Sequence, residues 1–176
     1  ARGFLAEIIP NRQGADVSPA LDPAAGTTTR WRVRPLAALH PLATHPAKAW
    51  PGPHWTRLMA LLDAAGWDWV VVGRGEGAPA LPPGADPRRN LLNRLDLRQF
   101  LAVLAASDVL VTADSGPMHL ATAVGTPVVA LFGPTVRAWG FFPHGPRDRV
   151  LELDMPCRPC SLHGRVRCER GQACLA

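Results

Sequence analysis

Apolar positions along the chain follow two periods that alternate. Residues 36–40 form a short apolar run stopped by Pro41, which predicts a strand. Within residues 53–65, Trp55, Leu58, Met59 and Leu62 recur at i, i+3, i+4 and i+7, with Pro53 near the first turn and Gly66 after the last. That spacing predicts a helix with one buried face. Residues 69–72, closed by Gly73, read as a buried strand, and a Pro- and Gly-rich loop follows through residue 90. Asp96, with Gln99 three residues on, has N-cap chemistry ahead of the apolar periodic stretch 100–105. Residues 109–112 predict the next strand, 117–124 a helix closed by Gly125, and 127–132 another strand. Strands that are apolar throughout and alternate with helices belong to a parallel sheet covered on both faces. The fold class expected is therefore α/β, a Rossmann-like doubly wound parallel sheet.

On this reading residues 1–32 are a polar lead-in, 33–143 the sheet domain, and 144–176 an irregular tail rich in Cys, Arg and His that packs on it. Asp16 and Asp22 fall in the lead-in. A chain of 176 residues suits one such domain and has no room for two. No apolar run approaches the roughly 18 residues of a membrane span. The opening ARGFLAEIIP also lacks the pattern of a signal peptide, so a cytoplasmic location is expected.

Charge changes the picture little. The net charge of +5 comes almost wholly from arginine, since Lys48 is the single lysine. It reflects either a compositional habit or attraction to an anionic ligand or headgroup. Nucleic acid is not an expected partner, because there is no basic helix, zinc-finger spacing or RNP-like aromatic strand.

In a doubly wound sheet ligands bind beyond the carboxyl ends of the strands, so the chemistry is sought in the loops that follow them. After the strand at 109–112 come Ala113, Asp114, Ser115, Gly116, Pro117, Met118 and His119. Gly116 lets a backbone approach a ligand, Pro117 suits a first helical turn, and the N–H groups of such a start favour an anion such as a diphosphate. The alternative is that Asp114 or Ser115 simply caps the helix. The loop after residue 40 carries Lys48, a flexible ammonium suited to a phosphate or to plain solvation. Gly73-Arg74-Gly75-Glu76-Gly77 is a glycine loop whose acid can accept from sugar hydroxyls, although it lacks GxGxxG spacing. Phe132-Gly133-Pro134-Thr135 either walls a nucleotide or makes a turn.

Taken together, the residues from His40 to Cys174 resemble glycosyltransferase family 9, the ADP-heptose–lipopolysaccharide heptosyltransferases. The stretches that carry the resemblance are Asp114 through Ala121, Gly125 through Thr135, and the pattern Lys48, Trp50-Pro51, Trp55, Leu58. It implies the C-terminal, donor-binding half of a GT-B architecture. Lys48 and the backbone at Ser115 and Gly116 would hold the donor diphosphate. Asp114, Met118 and His119 would stand on the sugar and phosphate side, with Glu76 on donor hydroxyls. The implied reaction moves a heptose from ADP-heptose to the lipopolysaccharide inner core, at the inner face of the inner membrane. The family's acceptor half and presumed catalytic carboxylate are not in these residues, so the chain alone is expected to be inactive. His119 and Asp114 are its nearest catalytic candidates, in supporting roles. Two other functions are weighed: a nucleotide-sugar epimerase of GT-B-like fold, and a non-catalytic nucleotide- or zinc-binding module.

Cys157-x-x-Cys160 has metal-knuckle spacing, and Cys168 and Cys174 complete four thiols for a tetrahedral Zn²⁺. Reduced structural thiols are the other reading. Donor binding as such requires no cofactor.

Overall fold

The apolar runs assemble side by side into one sheet in the computed structural model, which describes residues 34–163 and 168–176, and in addition the backbone of two short strands before them. Those two, β1 (Pro19–Ala20) and β2 (Arg30–Trp31), pair antiparallel. The rest of the 1–32 lead-in, including Asp16 and Asp22, lies outside the described residues.

The domain proper runs β3 (Leu36–His40), α1 (Gly52–Ala64), β4 (Asp68–Val71), α2 (Leu97–Ala106), β5 (Val109–Ala113), α3 (Gly116–Ala123), β6 (Val128–Phe132) and β7 (Arg149–Glu152). The strand order is β4-β3-β5-β6-β7 and every pairing is parallel. The chain enters at β3, steps outward to β4, then crosses back to β5 and continues the other way. The order therefore reverses between β3 and β5, the place where an open α/β sheet leaves a crevice at its carboxyl edge.

Alternation along the strands sends side chains to two separate cores. On one face Trp55, Leu58, Met59 and Leu62 of α1 pack on Ala37, Leu39, Val109, Val111, Val129 and Leu131. On the other, Phe100, Val103 and Leu104 of α2 and Met118 and Ala121 of α3 pack on Ala38, Leu110, Val128, Ala130 and Phe132. Both faces being covered is why β5 and β6 are buried along their whole length. The start of α2 is a capping box: Asp96 accepts from the Gln99 N–H at 2.8 Å, and Gln99 Oε1 accepts from the Asp96 N–H at 2.9 Å.

Two corrections concern extent. β4 begins at Asp68, one residue early, and Val72 follows it as a single hydrogen bond from its N–H to the Leu39 carbonyl at 2.9 Å. The larger one is β7. The sheet was expected to end near residue 132, with everything from 144 an appendage, yet Arg149–Glu152 pairs along β6 from Val129↔Arg149 to Phe132↔Glu152. An edge strand with charged ends carries no apolar run to betray it, and its pairing is decided by β6. Near the end of the described residues Leu175 is buried, and a Cβ placed on Gly133 would come within 2.8 Å of its Cγ. Among the described residues no helix is long and apolar enough to cross a membrane.

Candidate functional site

Three loops meet at the carboxyl edge where the strand order reverses. β3 ends in His40, β5 hands over to α3 through Asp114 and Ser115, and β4 runs into the glycine loop 73–77. Between them lies a cleft of about 760 Å³. Its walls include His40, Leu42 and Thr44 after β3, Gly73 to Glu76 after β4, Asp96, Leu97 and Phe100 of α2, and Ser115 to Pro117 at the start of α3.

The floor is a small neutral network. The β3–β5 register sets His40 opposite Thr112, and His40 Nδ1 lies 3.1 Å from Thr112 Oγ1. Thr112 Oγ1 is 3.1 Å from Ser115 Oγ, which stands 3.5 Å from the same imidazole nitrogen and donates to the Ala113 carbonyl at 3.2 Å. Burial among these groups, with no anion to compensate, lowers the His40 pKa to about 4. The ring is therefore neutral at neutral pH and tethers hydroxyls. Gly73 presses on it: the backbone there has φ +135°, and a Cβ would sit 2.8 Å from His40 Cδ2. Asn93 braces the glycine loop by accepting from the Gly75 N–H at 2.8 Å and donating to the Gly75 carbonyl at 2.9 Å.

The start of α3 resolves the choice between a capped helix and an open one. Ser115 is the N-cap residue but makes no side-chain cap hydrogen bond. Asp114 does not cap either. Its Oδ2 accepts from Lys48 Nζ at 2.6 Å and from Thr135 Oγ1 at 2.8 Å. A Cβ on Gly116 would meet nothing within 4 Å, so the space at the first turn is open. An uncapped helix start with room in front of it suits an anion. The Lys48–Asp114 pair stands beside this turn with side chains only 13% and 11% exposed. One hydrogen bond of three is committed, which orients the ammonium while leaving two donors for a ligand.

A family model, glycosyltransferase family 9 (heptosyltransferase), matches residues 12–167. The chain belongs to this family. The match opens well before His40, where the sequence resemblance begins. Lipopolysaccharide heptosyltransferase 1 of Pseudomonas aeruginosa is 36% identical over 118 residues, covering 64% of this chain and 32% of that protein. The solved structure of an E. coli ADP-heptose lipopolysaccharide heptosyltransferase II superposes with a TM-score of 0.57 at 29% identity, over 69% of this chain and 39% of that one. A second, an E. coli heptosyltransferase with ADP, gives 0.51 at 25%, over 66% and 37%. This chain spans about a third of the length of the curated relatives it matches.

Within this family 9 chain, the expected donor residues divide four ways. Glu76, Ser115 and Gly116 line the cleft. Lys48 and Asp114, 66 residues apart, meet beside it. Met118 is a correction: it is wholly buried in the core under α3, and its N–H is turned to the Ser115 carbonyl at 3.1 Å, so it offers a ligand nothing. The i, i+3 spacing of Met118 and Ala121 was the signal for a core face. His119 is exposed on α3 and is not among the cleft-lining residues. Sequence reasoning gave His40 no role and named Arg74 and Thr135 only as members of their loops. Arg74 and Thr135 were visible as a cation and a hydroxyl three residues after a strand end.

The four cysteines are free thiols. Burial, then the neighbouring thiols Cys157 and Cys168, raise the Cys160 pKa; burial and thiol neighbours likewise raise that of Cys174. Cys160 Sγ donates to the Cys157 carbonyl at 2.9 Å, and the Gln172 N–H points to Cys168 Sγ at 3.3 Å. Among the described residues no three His, Cys, Asp or Glu side chains are gathered as a metal set.

Proposed function

We propose that this chain is the donor-binding part of a heptosyltransferase, taking an ADP-sugar of the ADP-heptose class for transfer to a lipopolysaccharide core. The observation that carries the reading is the uncapped start of α3 beside an ammonium held at 2.6 Å by Asp114. A diphosphate bound there meets the N–H groups of Ser115 and Gly116 and the remaining donors of Lys48 together. In the transfer, the acceptor oxygen bonds to the anomeric carbon as the bond from that carbon to the diphosphate breaks. Lys48 and the α3 start would take up the negative charge that grows on departing ADP. Glu76 supplies an acceptor for sugar hydroxyls across the cleft, and Arg74 beside it adds a second cation.

A base for the acceptor hydroxyl has to come from the other side of the cleft. Since the chain spans a third of its relatives, we assign that base and the acceptor site to the part it does not span. The chain then binds donor without turning it over. We place the reaction on the cytoplasmic side of the inner membrane, because the acceptor is a lipid. Binding calorimetry tests the reading: ADP and ADP-heptose are expected to bind, and UDP-sugars to bind more weakly. Equal affinity for UDP-sugars would favour the epimerase reading. Acceptor-dependent ADP release from heptose-deficient lipopolysaccharide by the chain alone would show that the base lies within it.

Zinc at Cys157, Cys160, Cys168 and Cys174 also stays a proposal. What supports it is the Cys157-x-x-Cys160 spacing with Cys168 and Cys174 in the same tail, and among the described residues no metal set is gathered without the ion. Ion binding would have to gather them, as it does where a metal site forms only with its metal. Metal analysis of protein purified without chelator is expected to approach one equivalent. A metal-free chain of unchanged stability would return the thiols to packing.

A further inference from the structure

The proposed reaction leaves the cysteine-rich tail without a task, yet the tail is built into the network that holds Lys48. Its anchor is Arg158, whose side chain is 4% exposed. The guanidinium donates to the carbonyls of Gly133 and Leu153, to the Thr135 carbonyl at 2.6 Å and to Glu152 Oε2 at 3.0 Å. A planar fork with five donors serves four acceptors at fixed angles, which a lysine ammonium cannot do. Two of those acceptors flank the loop at 133–135, and Thr135 turns its hydroxyl to Asp114 Oδ2, the oxygen that holds Lys48. The tail also reaches Lys48 by a second path. Gln172 Nε2 donates to the Pro46 carbonyl at 2.6 Å, within the 3₁₀ turn Pro46–Lys48.

We infer that the tail positions the Lys48 ammonium, through Arg158 on the Thr135–Asp114 side and through Gln172 on the Pro46 side. Arg158 and Gln172 are positioning residues, and neither touches the donor. The inference rests on Lys48 as the donor-phosphate ligand: a cation helps an anion most when its place is set before the anion arrives.

Because Lys48 is the single lysine, a chain grown with [ε-¹³C]lysine gives one side-chain resonance to follow. Asp114→Asn marks where that resonance lies without its carboxylate partner. Arg158→Lys would add a second lysine, so Arg158→Gln is the variant to use. It is expected to move the resonance at least halfway to the Asp114→Asn position, as is Thr135→Val. The double variant should move it no further than Thr135→Val alone, because both changes act through one hydroxyl. A purely structural role for Arg158 would instead give additive shifts. An Arg158→Gln resonance superimposed on the parent's overturns the inference. Where Arg158→Gln loses the parent's tryptophan emission, Gln172→Ala decides: a moved resonance supports the positioning role and an unmoved one removes it. ADP calorimetry separates this inference from the reading beneath it. About a tenfold loss of ADP affinity in Arg158→Gln is expected. A moved resonance in a chain that takes up no ADP keeps the positioning role and removes the donor site. ADP binding with neither resonance nor affinity changed does the reverse.

Discussion

On the β3 side of the turn that opens α3, His40 is buried and neutral among hydroxyls. Toward β6, Lys48 and Asp114 keep opposite charges in contact a few residues away. Both networks are nearly closed to solvent, and both lie at the carboxyl ends of parallel strands. The difference is the partner. An imidazolium without a nearby anion would bear the whole desolvation cost, so the ring gives up its proton. Where an ammonium touches a carboxylate, each partner offsets part of the other's loss of water. One turn thereby offers a ligand a rigid neutral floor and, beside it, a fixed cation. Rigidity comes from the first network and attraction from the second.

The largest expected effect breaks the floor. Gly73→Ala puts a Cβ 2.8 Å from His40 Cδ2 at a φ of +135°. Backbone strain and overpacking together should destabilise the fold by about 3–4 kcal/mol in urea unfolding. A loss below about 1 kcal/mol would mean that the ring has room to shift. Nearly as large is the pH dependence of His40. Its folded pKa, about 4, lies below the ordinary histidine value of 6.5, so between those values the unfolded chain binds the extra proton. The contribution is therefore complete above pH 6.5 and is lost as the pH falls towards 4. At 1.4 kcal/mol per unit this amounts to about 3 kcal/mol. Unfolding free energies across that range should fall less steeply for His40→Gln than for the parent, and parallel curves would contradict the neutral ring.

On the charged side, Lys48→Ala should weaken ADP binding by about 1.5–3 kcal/mol, as for the loss of a hydrogen bond to a charged group. Unchanged affinity by calorimetry would remove Lys48 from the donor site. The smallest effect compares two helix starts. Asp96→Ala dismantles a complete capping box and should cost about 1 kcal/mol. Ser115→Ala removes no cap, and its cost, about 0.5–1 kcal/mol by thermal unfolding, comes from the hydroxyl contacts to Thr112 and the Ala113 carbonyl. A Ser115→Ala loss that persists undiminished in a Thr112→Val background would show that Ser115 supports α3 after all.

Much of the fold could be read from local pattern. Leu36–His40 was expected to the residue, and the Asp96–Gln99 box was visible as two residue types three apart. These features depend on neighbours a few positions away, and the sequence displays such neighbours directly. Turn chemistry also singled out the loop at 114–119, whose residues Ser115 to Pro117 line the cleft. It did not say which way each residue of that loop faces. Met118 was drawn into the site by standing next to it in sequence, and helical rotation turned it into the core.

What tertiary structure alone decided is the set of meetings across long separations. Lys48 finds Asp114 across 66 residues, and His40 finds Thr112 across 72 because the parallel register of β3 and β5 sets them level. β7 becomes a strand only because β6 has an open edge, and Arg158 becomes a buried cation only because three carbonyls and a carboxylate surround it. A lysine's sequence neighbours do not say whether it ends in water or against an aspartate. Which of the two it meets depends on strand order, and with it depends the difference between a solvated surface charge and an oriented one.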